Sequence, residues 1–282
     1  MPTVSGVEFP ESVGSLRGEL FGQLLRKPWV VGPIAAAAVA AGMAVGFSVA
    51  LIPGLATAAA VALCGLALAF VVAWYQANRD FFAIYAREHG LEIVDEDLPE
   101  VTPLLYAGTG RDTEVAMRGE LGPCVVGTLA HYTYTEHIPG GGKGSSGSAA
   151  VYKLTVVLIE VPAVDSIPLV LCHGRHGSEG TDGLDDALRR PRRKRLKLES
   201  EEFNRRFEVF VDPDQDEVRL RRLFSPSFIV WLAESMPTAF ELVNGHLCCF
   251  AAGHLDSAAK LDEVVAGAVD LSRRLQAATP DP

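Results

Sequence analysis

The sequence predicts a two-helix transmembrane hairpin followed by an α+β cytoplasmic domain, mainly antiparallel sheet with C-terminal helices. Three observations predict it. Two apolar runs, Trp29 to Ile52 and Leu55 to Tyr75, contain no charged residue and meet at Pro53-Gly54. Behind them, segments rich in β-branched residues alternate with turn signals. Helical periodicity then gathers toward the C-terminus, and strands followed by segregated helices give α+β rather than a wound parallel sheet.

The hairpin comes first. At about 1.5 Å rise per residue, each run is long enough for a hydrocarbon core of roughly 30 Å. Lipid offers no partner for a bare peptide group, so each run is expected as a helix. The first run begins too late and is too long for a cleaved signal peptide. Arg17, Arg26 and Lys27 precede the hairpin, Arg79 and Arg87 follow it, and the turn carries no basic residue. The positive-inside bias therefore puts both termini in the cytoplasm and the chain in the plasma membrane as a multi-pass protein. Trp29, Trp74 and Tyr75 fall where an aromatic belt lies. The expected organisation is an N-terminal tail over 1–28, the hairpin over 29–75 and a juxtamembrane helix and linker over 76–98. The α+β domain follows over 99–278, with a disordered tail over 279–282.

Within the first span, Gly42 and Gly46 form a G-x-x-x-G with Ala38 and Ala50 on the same face. Small residues let helix backbones approach and gain dispersion contacts in lipid. Two partners fit this face. One is the second helix of the same hairpin, which the short turn already holds alongside. The other is a second copy, giving a homo-oligomer. No ionisable group occurs inside either span, which argues for an anchor rather than a pore or relay.

The second helix is expected to run on through Phe81, Phe82 and Tyr85, at the headgroup boundary, to a stop at Gly90. An acidic linker, LEIVDEDLPEVTP, follows. GRDTEVAMRGEL and CVVGTLAHYTYTEH read as strands around Gly122-Pro123. Ala150 to Val161 is apolar on both faces and reads as a central strand. Between them lies PGGGKGSSGS, Pro139 to Ser148, a flexible hairpin loop. Pro168 to His173 is a further strand, followed by a polar loop and a brief helix near Asp182 to Arg190. Phe207 to Val211 alternates as a strand. Asp214-x-x-Glu217 is a capping-box pattern for the next helix, and Ser225-Pro226 starts another. Asn244-Gly245 marks a type I′ hairpin. A last amphipathic helix carries Leu261, Val264, Val265, Ala268, Leu271 and Leu275.

Composition narrows the function classes. Net charge is -10 and pI about 5.2, so the chain as a whole repels nucleic acid and anionic lipid, and one local basic run goes against that average. The five cysteines, Cys64, Cys124, Cys172, Cys248 and Cys249, show no disulfide-framework spacing, which favours a reducing compartment.

The stretch from Leu198 to Phe250, with Phe203, Phe207, Val209, Asp212, Asp214, Arg219, Leu223, Ser225, Pro226 and Phe228, resembles an uncharacterised bacterial membrane-anchored family, a domain of unknown function. The resemblance implies a membrane hairpin ahead of such a domain. It implies no catalytic residue.

Candidate chemistry is sparse. Cys172-His173-x-x-His176 and His246-x-Cys248-Cys249 are the clustered metal-ligand types. Zinc needs about four such groups in a tetrahedron, whereas vicinal strand residues face apart. The same alternation separates Cys172 from His173 as a nucleophile and its base. PGGGKGSSG is not a P-loop, because His137 and Gly144 stand where Gly and Ser or Thr are required. No cofactor motif is found.

The most distinctive polar feature is the basic run containing Arg189, Arg190, Arg192, Arg193, Lys194, Arg195 and Lys197. It fits contact with an anionic leaflet, a solvated strand edge, or nucleic acid or an acidic protein partner. The sequence therefore reads as a membrane-anchored interaction module binding a protein partner or the anionic leaflet. Two alternatives stand beside it: a Cys/His-dependent enzyme or metal-binding protein, and a structural subunit of a membrane complex.

Overall fold

Ser12 opens the first helix, its Oγ accepting from the Ser15 amide at 3.3 Å, which satisfies one of the amides a helix start leaves unpaired. The computed structural model describes residues 12–48, 51–138, 148–174, 193–235 and 238–278. The chain divides into a helical unit, up to Tyr85 with Asp256–Ala258, and a sheet unit of Ala86–Leu255 with Ala259–Pro282.

In the helical unit, α1 (Val13–Arg26) is followed by Lys27 in extended backbone, then by α2 (Pro28–Ser48) and α3 (Leu51–Glu88). Both α2 and α3 are long and apolar enough to cross a membrane. Their outer surfaces are apolar and open: Phe47 is 92% exposed and Ile52 79%. The hairpin turn differs from the expectation. Pro53 and Gly54 do not form it; they lie in the first turn of α3. Proline suits that position because first-turn amides have no helical acceptor, and the Pro53 carbonyl instead takes the Thr57 hydroxyl at 2.9 Å. Gly54 serves close packing. A Cβ there would come 2.6 Å from the Gly42 carbonyl oxygen and 2.8 Å from Gly46 Cα.

Phe81, Phe82 and Tyr85 near the end of α3 are buried, with Phe81 edge-on to Phe82 and stacked on Tyr85. The three rings therefore form a packed aromatic cluster.

In the sheet unit the described strands are β1 (Glu92–Val94), β2 (Thr109–Gly122), β3 (Val125–Ile138), β4 (Ser148–Glu160), β5 (Val170–Gly174), β6 (Lys194–Leu196), β7 (Phe207–Val211), β8 (Ala239–Val243) and β9 (His246–Ala252). They form one sheet in the order β1-β2-β3-β4-β9-β8-β5-β7-β6, every pair antiparallel. The helices are α4 (Pro103–Tyr106), α5 (Glu201–Arg206), α6 (Glu217–Leu223), α7 (Pro226–Ser235) and α8 (Ala258–Ala278). Two long apolar helices followed by a mainly antiparallel sheet with C-terminal helices is the α+β arrangement expected.

The turns follow their chemistry. At Gly122-Pro123 the chain reverses with Cys124 at φ 61°, a left-handed conformation that ordinarily favours glycine; its amide is held by the Glu120 carboxylate at 2.9 Å. Asn244 and Gly245 take φ of 45° and 78°, as a type I′ turn demands. Loop 139–147 lies outside the described residues, but β3 and β4 remain paired up to Ile138 opposite Ser148.

Three short elements depart from the expectation. The acidic linker contributes β1, paired to β2. A short helix that was not expected, α5, holds Phe203 and is capped by Ser200; it leads directly into the strand expected over Phe207–Val211. The next helix is capped by Asp216, which accepts from the Val218 amide at 2.9 Å, rather than by Asp214.

Directly paired residues share a face of the sheet. Ala116, Ala130, Val156 and Phe250 follow one another across β2, β3, β4 and β9, on the face where Leu104, Leu105, Tyr132, Tyr134, Tyr152 and Leu171 also cluster. Met117, Leu129, Val157, Cys249, Phe240 and Cys172 form the corresponding row on the other face. Both faces are therefore buried through the centre of the sheet.

Candidate functional site

Strand alternation alone sends Cys172 and His173 to opposite faces. Cys172 lies opposite Phe240, and burial raises its thiol pKa, so it stays a protonated, apolar group. His173 faces the tyrosine-lined side, its ring edge-on to Phe250 at 5.3 Å.

There it meets a residue that the sequence reading did not single out. Glu241 in β8 is fully buried. Its Oε2 accepts from the Leu104 amide of α4 at 2.8 Å, and its Oε1 lies 3.3 Å from His173 Nε2. That second contact has the distance of an ion pair without hydrogen-bond alignment. On the other side of His173, Glu208 is its direct cross-strand partner. Glu208 pairs with Arg195 of β6 at 2.8 Å. A polar row of Arg195, Glu208, His173 and Glu241 thus crosses β6, β7, β5 and β8, running from the sheet edge into the core.

The row can hold an imidazole in one orientation between two carboxylates. It lacks an adjacent nucleophile among the described residues. Cys248, directly opposite Glu241, has its thiol held well above the ordinary range, by burial first and the nearby carboxylate second.

The remaining candidates are dispersed. Cys248 and Cys249 face apart, with Cys248 opposite Leu158 and Cys249 opposite Val157. His246 sits at the hairpin end, opposite Glu160 and Val243. His176 lies outside the described residues. Among the described residues no group of three or more His, Cys, Asp and Glu is placed to hold a metal.

Of the basic run, Arg189, Arg190 and Arg192 lie outside the described residues. Lys194, Arg195 and Leu196 form β6, the last strand of the sheet. Lys194 is paired with Glu217 and Arg195 with Glu208, so these two cations are neutralised at the strand edge. Lys197, just beyond β6, is exposed. Arg193, just before it, is half-buried.

A second polar cluster also escaped the sequence reading. His131 and His254 stack with ring centres 4.5 Å apart. His131 Nε2 meets the Leu255 carbonyl at 3.1 Å. His254 Nδ1 lies 3.3 Å from Glu114, and its Nε2 lies 3.3 Å from the Thr133 hydroxyl and 3.2 Å from the Tyr132 carbonyl. Burial, aided by His254, lowers the His131 pKa to about 3. Burial also lowers that of His254, against the opposing pull of Glu114.

In the helical unit, Gly42 and Gly46 face α3 of the same chain. A Cβ at Gly42 would come 2.8 Å from Ala58 Cβ, and one at Gly46 3.9 Å from Gly54 Cα.

No family model matches the chain, and no curated protein matches it. Among solved structures it is similar to the crystal structure of the mycobacterial trehalose monomycolate transport factor A, TtfA. The identity is 12% and the TM-score 0.35, over 71% of this chain and 94% of that one. A likeness at that level carries no argument about activity.

Proposed function

We propose that this chain is an integral membrane protein. In this reading α2 and α3 anchor the antiparallel sheet unit at the cytoplasmic face, where it acts as an interaction module for a protein partner or the anionic leaflet. One observation carries the reading: two successive helices whose apolar stretches contain no charged residue leave large side chains such as Phe47, Ile52, Leu63 and Leu68 exposed. In water such a surface drives aggregation; in hydrocarbon it is solvated. Orientation rests on Arg17, Arg26 and Lys27 before the hairpin and Arg79 and Arg87 after it. The neutralised Lys194 and Arg195 favour a protein partner over the leaflet for the sheet-edge surface. Membership of the membrane-anchored family that residues 198–250 resemble belongs to the same proposal.

Extraction of membranes at alkaline pH tests the anchor. The full chain is expected to stay in the pellet with integral proteins, and its release with peripheral ones overturns the reading.

A further inference from the structure

We propose that Arg17, placed over the Trp74 ring, binds the phosphate of an anionic phospholipid at the inner leaflet and so fixes the depth of the hairpin; this rests on the membrane reading above. Arg17 lies in α1 with its guanidinium carbon 4.7 Å from the centre of the Trp74 ring. One turn further on, Phe21 stands edge-on to Phe70 at 5.5 Å. These two contacts hold α1 against the end of the apolar stretch of α3.

The height of the contact follows from the hairpin itself. Gly42 abuts Ala58, and Ile34 abuts Gly65. Continuing that antiparallel register carries Lys27, at the end of the uncharged stretch of α2, to the level of Val72. Lys27 and Trp74 therefore lie near one level, where the apolar stretch ends and an aromatic belt meets headgroups, and the Arg17 guanidinium reaches that level through its contact with Trp74.

The side chain suits the ligand. Its Nε is covered and has no hydrogen-bond partner, and no carboxylate among the described residues pairs with it. The indole face holds the guanidinium plane in place by cation–π attraction. A planar fork so held presents paired N–H donors that match two phosphate oxygens, a geometry lysine cannot reproduce.

The test uses the full-length protein in detergent micelles, with bound lipid counted by native mass spectrometry. Phosphatidylglycerol and phosphatidylcholine are titrated separately, then inorganic phosphate is added. Wild type is expected to retain phosphatidylglycerol in preference to phosphatidylcholine, and millimolar phosphate is expected to leave it bound. Arg17→Gln is expected to weaken phosphatidylglycerol binding about five-fold, the effect of one interfacial charge, with Arg17→Lys restoring only part. Trp74→Leu, which keeps the charge but removes its platform, is expected to weaken binding as well. Equal retention by Arg17→Gln and wild type overturns the assignment, and displacement by inorganic phosphate overturns its lipid source. Alkaline extraction of the same variants separates the two claims. Wild type released from membranes defeats the membrane reading, whereas anchored variants with unchanged lipid binding defeat the Arg17 site alone.

Discussion

His173 Nε2 lies 3.3 Å from Glu241 Oε1, while Glu241 Oε2 holds the Leu104 amide at 2.8 Å. One buried carboxylate thereby ties β5 and β8 to α4. Glu241→Ala is expected to destabilise the sheet unit by about 2–4 kcal/mol, because the Leu104 amide is left buried without an acceptor. Glu241→Gln keeps a carbonyl oxygen at that position and is expected to cost less than half as much. Urea unfolding of the full chain in detergent, followed by circular dichroism, separates the two.

The two sides of the hairpin contact respond differently to a methyl group. Gly54→Ala forces a Cβ to within 2.6 Å of the Gly42 carbonyl and is expected to cost about 1–3 kcal/mol through overpacking. Gly46→Ala meets only an ordinary contact at 3.9 Å and is expected to stay within about 0.5 kcal/mol. Thermal melting in detergent reads the difference.

His131 gives the sheet unit a pH dependence of known sign. Its folded pKa of about 3 lies below its ordinary 6.5, so between those values the unfolded chain binds a proton that the folded one refuses. Stability contributed by the neutral ring is complete above the ordinary value and lost as pH falls below it. At about 1.4 kcal/mol per unit, lowering the pH from 7 to 5 is expected to cost about 2 kcal/mol. In His131→Gln that part of the slope disappears. Urea midpoints at several pH values check it.

The start of α6 discriminates between two aspartates. Asp216 caps the helix through the Val218 amide, so Asp216→Ala is expected to cost about 1 kcal/mol. Asp214→Ala is expected to fall within about 0.5 kcal/mol. Paired urea curves decide between them.

Helices α2 and α3 were legible because two uncharged runs, each long and apolar enough to cross a membrane, have no better conformation than a helix. The turn was misplaced because Pro53-Gly54 has the composition of a turn, yet proline is equally suited to a first helical turn. In the sheet unit, long alternating segments such as 125–138 and the Asn244-Gly245 hairpin were readable from local chemistry. Strands of three residues, β1 and β6, are too short to show a period. Glu241 was missed because alternation with Phe240 and Leu242 places it on the face that ordinarily meets water; here α4 covers that face. His131 and His254 meet only through the sheet and leave no local spacing to read.

Thiol accessibility tests the anchored topology most directly. Cys124 is exposed at the β2–β3 turn, Cys64 is exposed on α3, and Cys172, Cys248 and Cys249 are buried. A membrane-impermeant maleimide added to intact cells is predicted to label neither exposed thiol. Permeabilisation is predicted to expose Cys124, with Cys124→Ser assigning the signal, while Cys64 stays shielded by lipid until detergent is added. Labelling of Cys124 in intact cells, or of Cys64 without detergent, would contradict a two-span anchor with its sheet unit inside the cell.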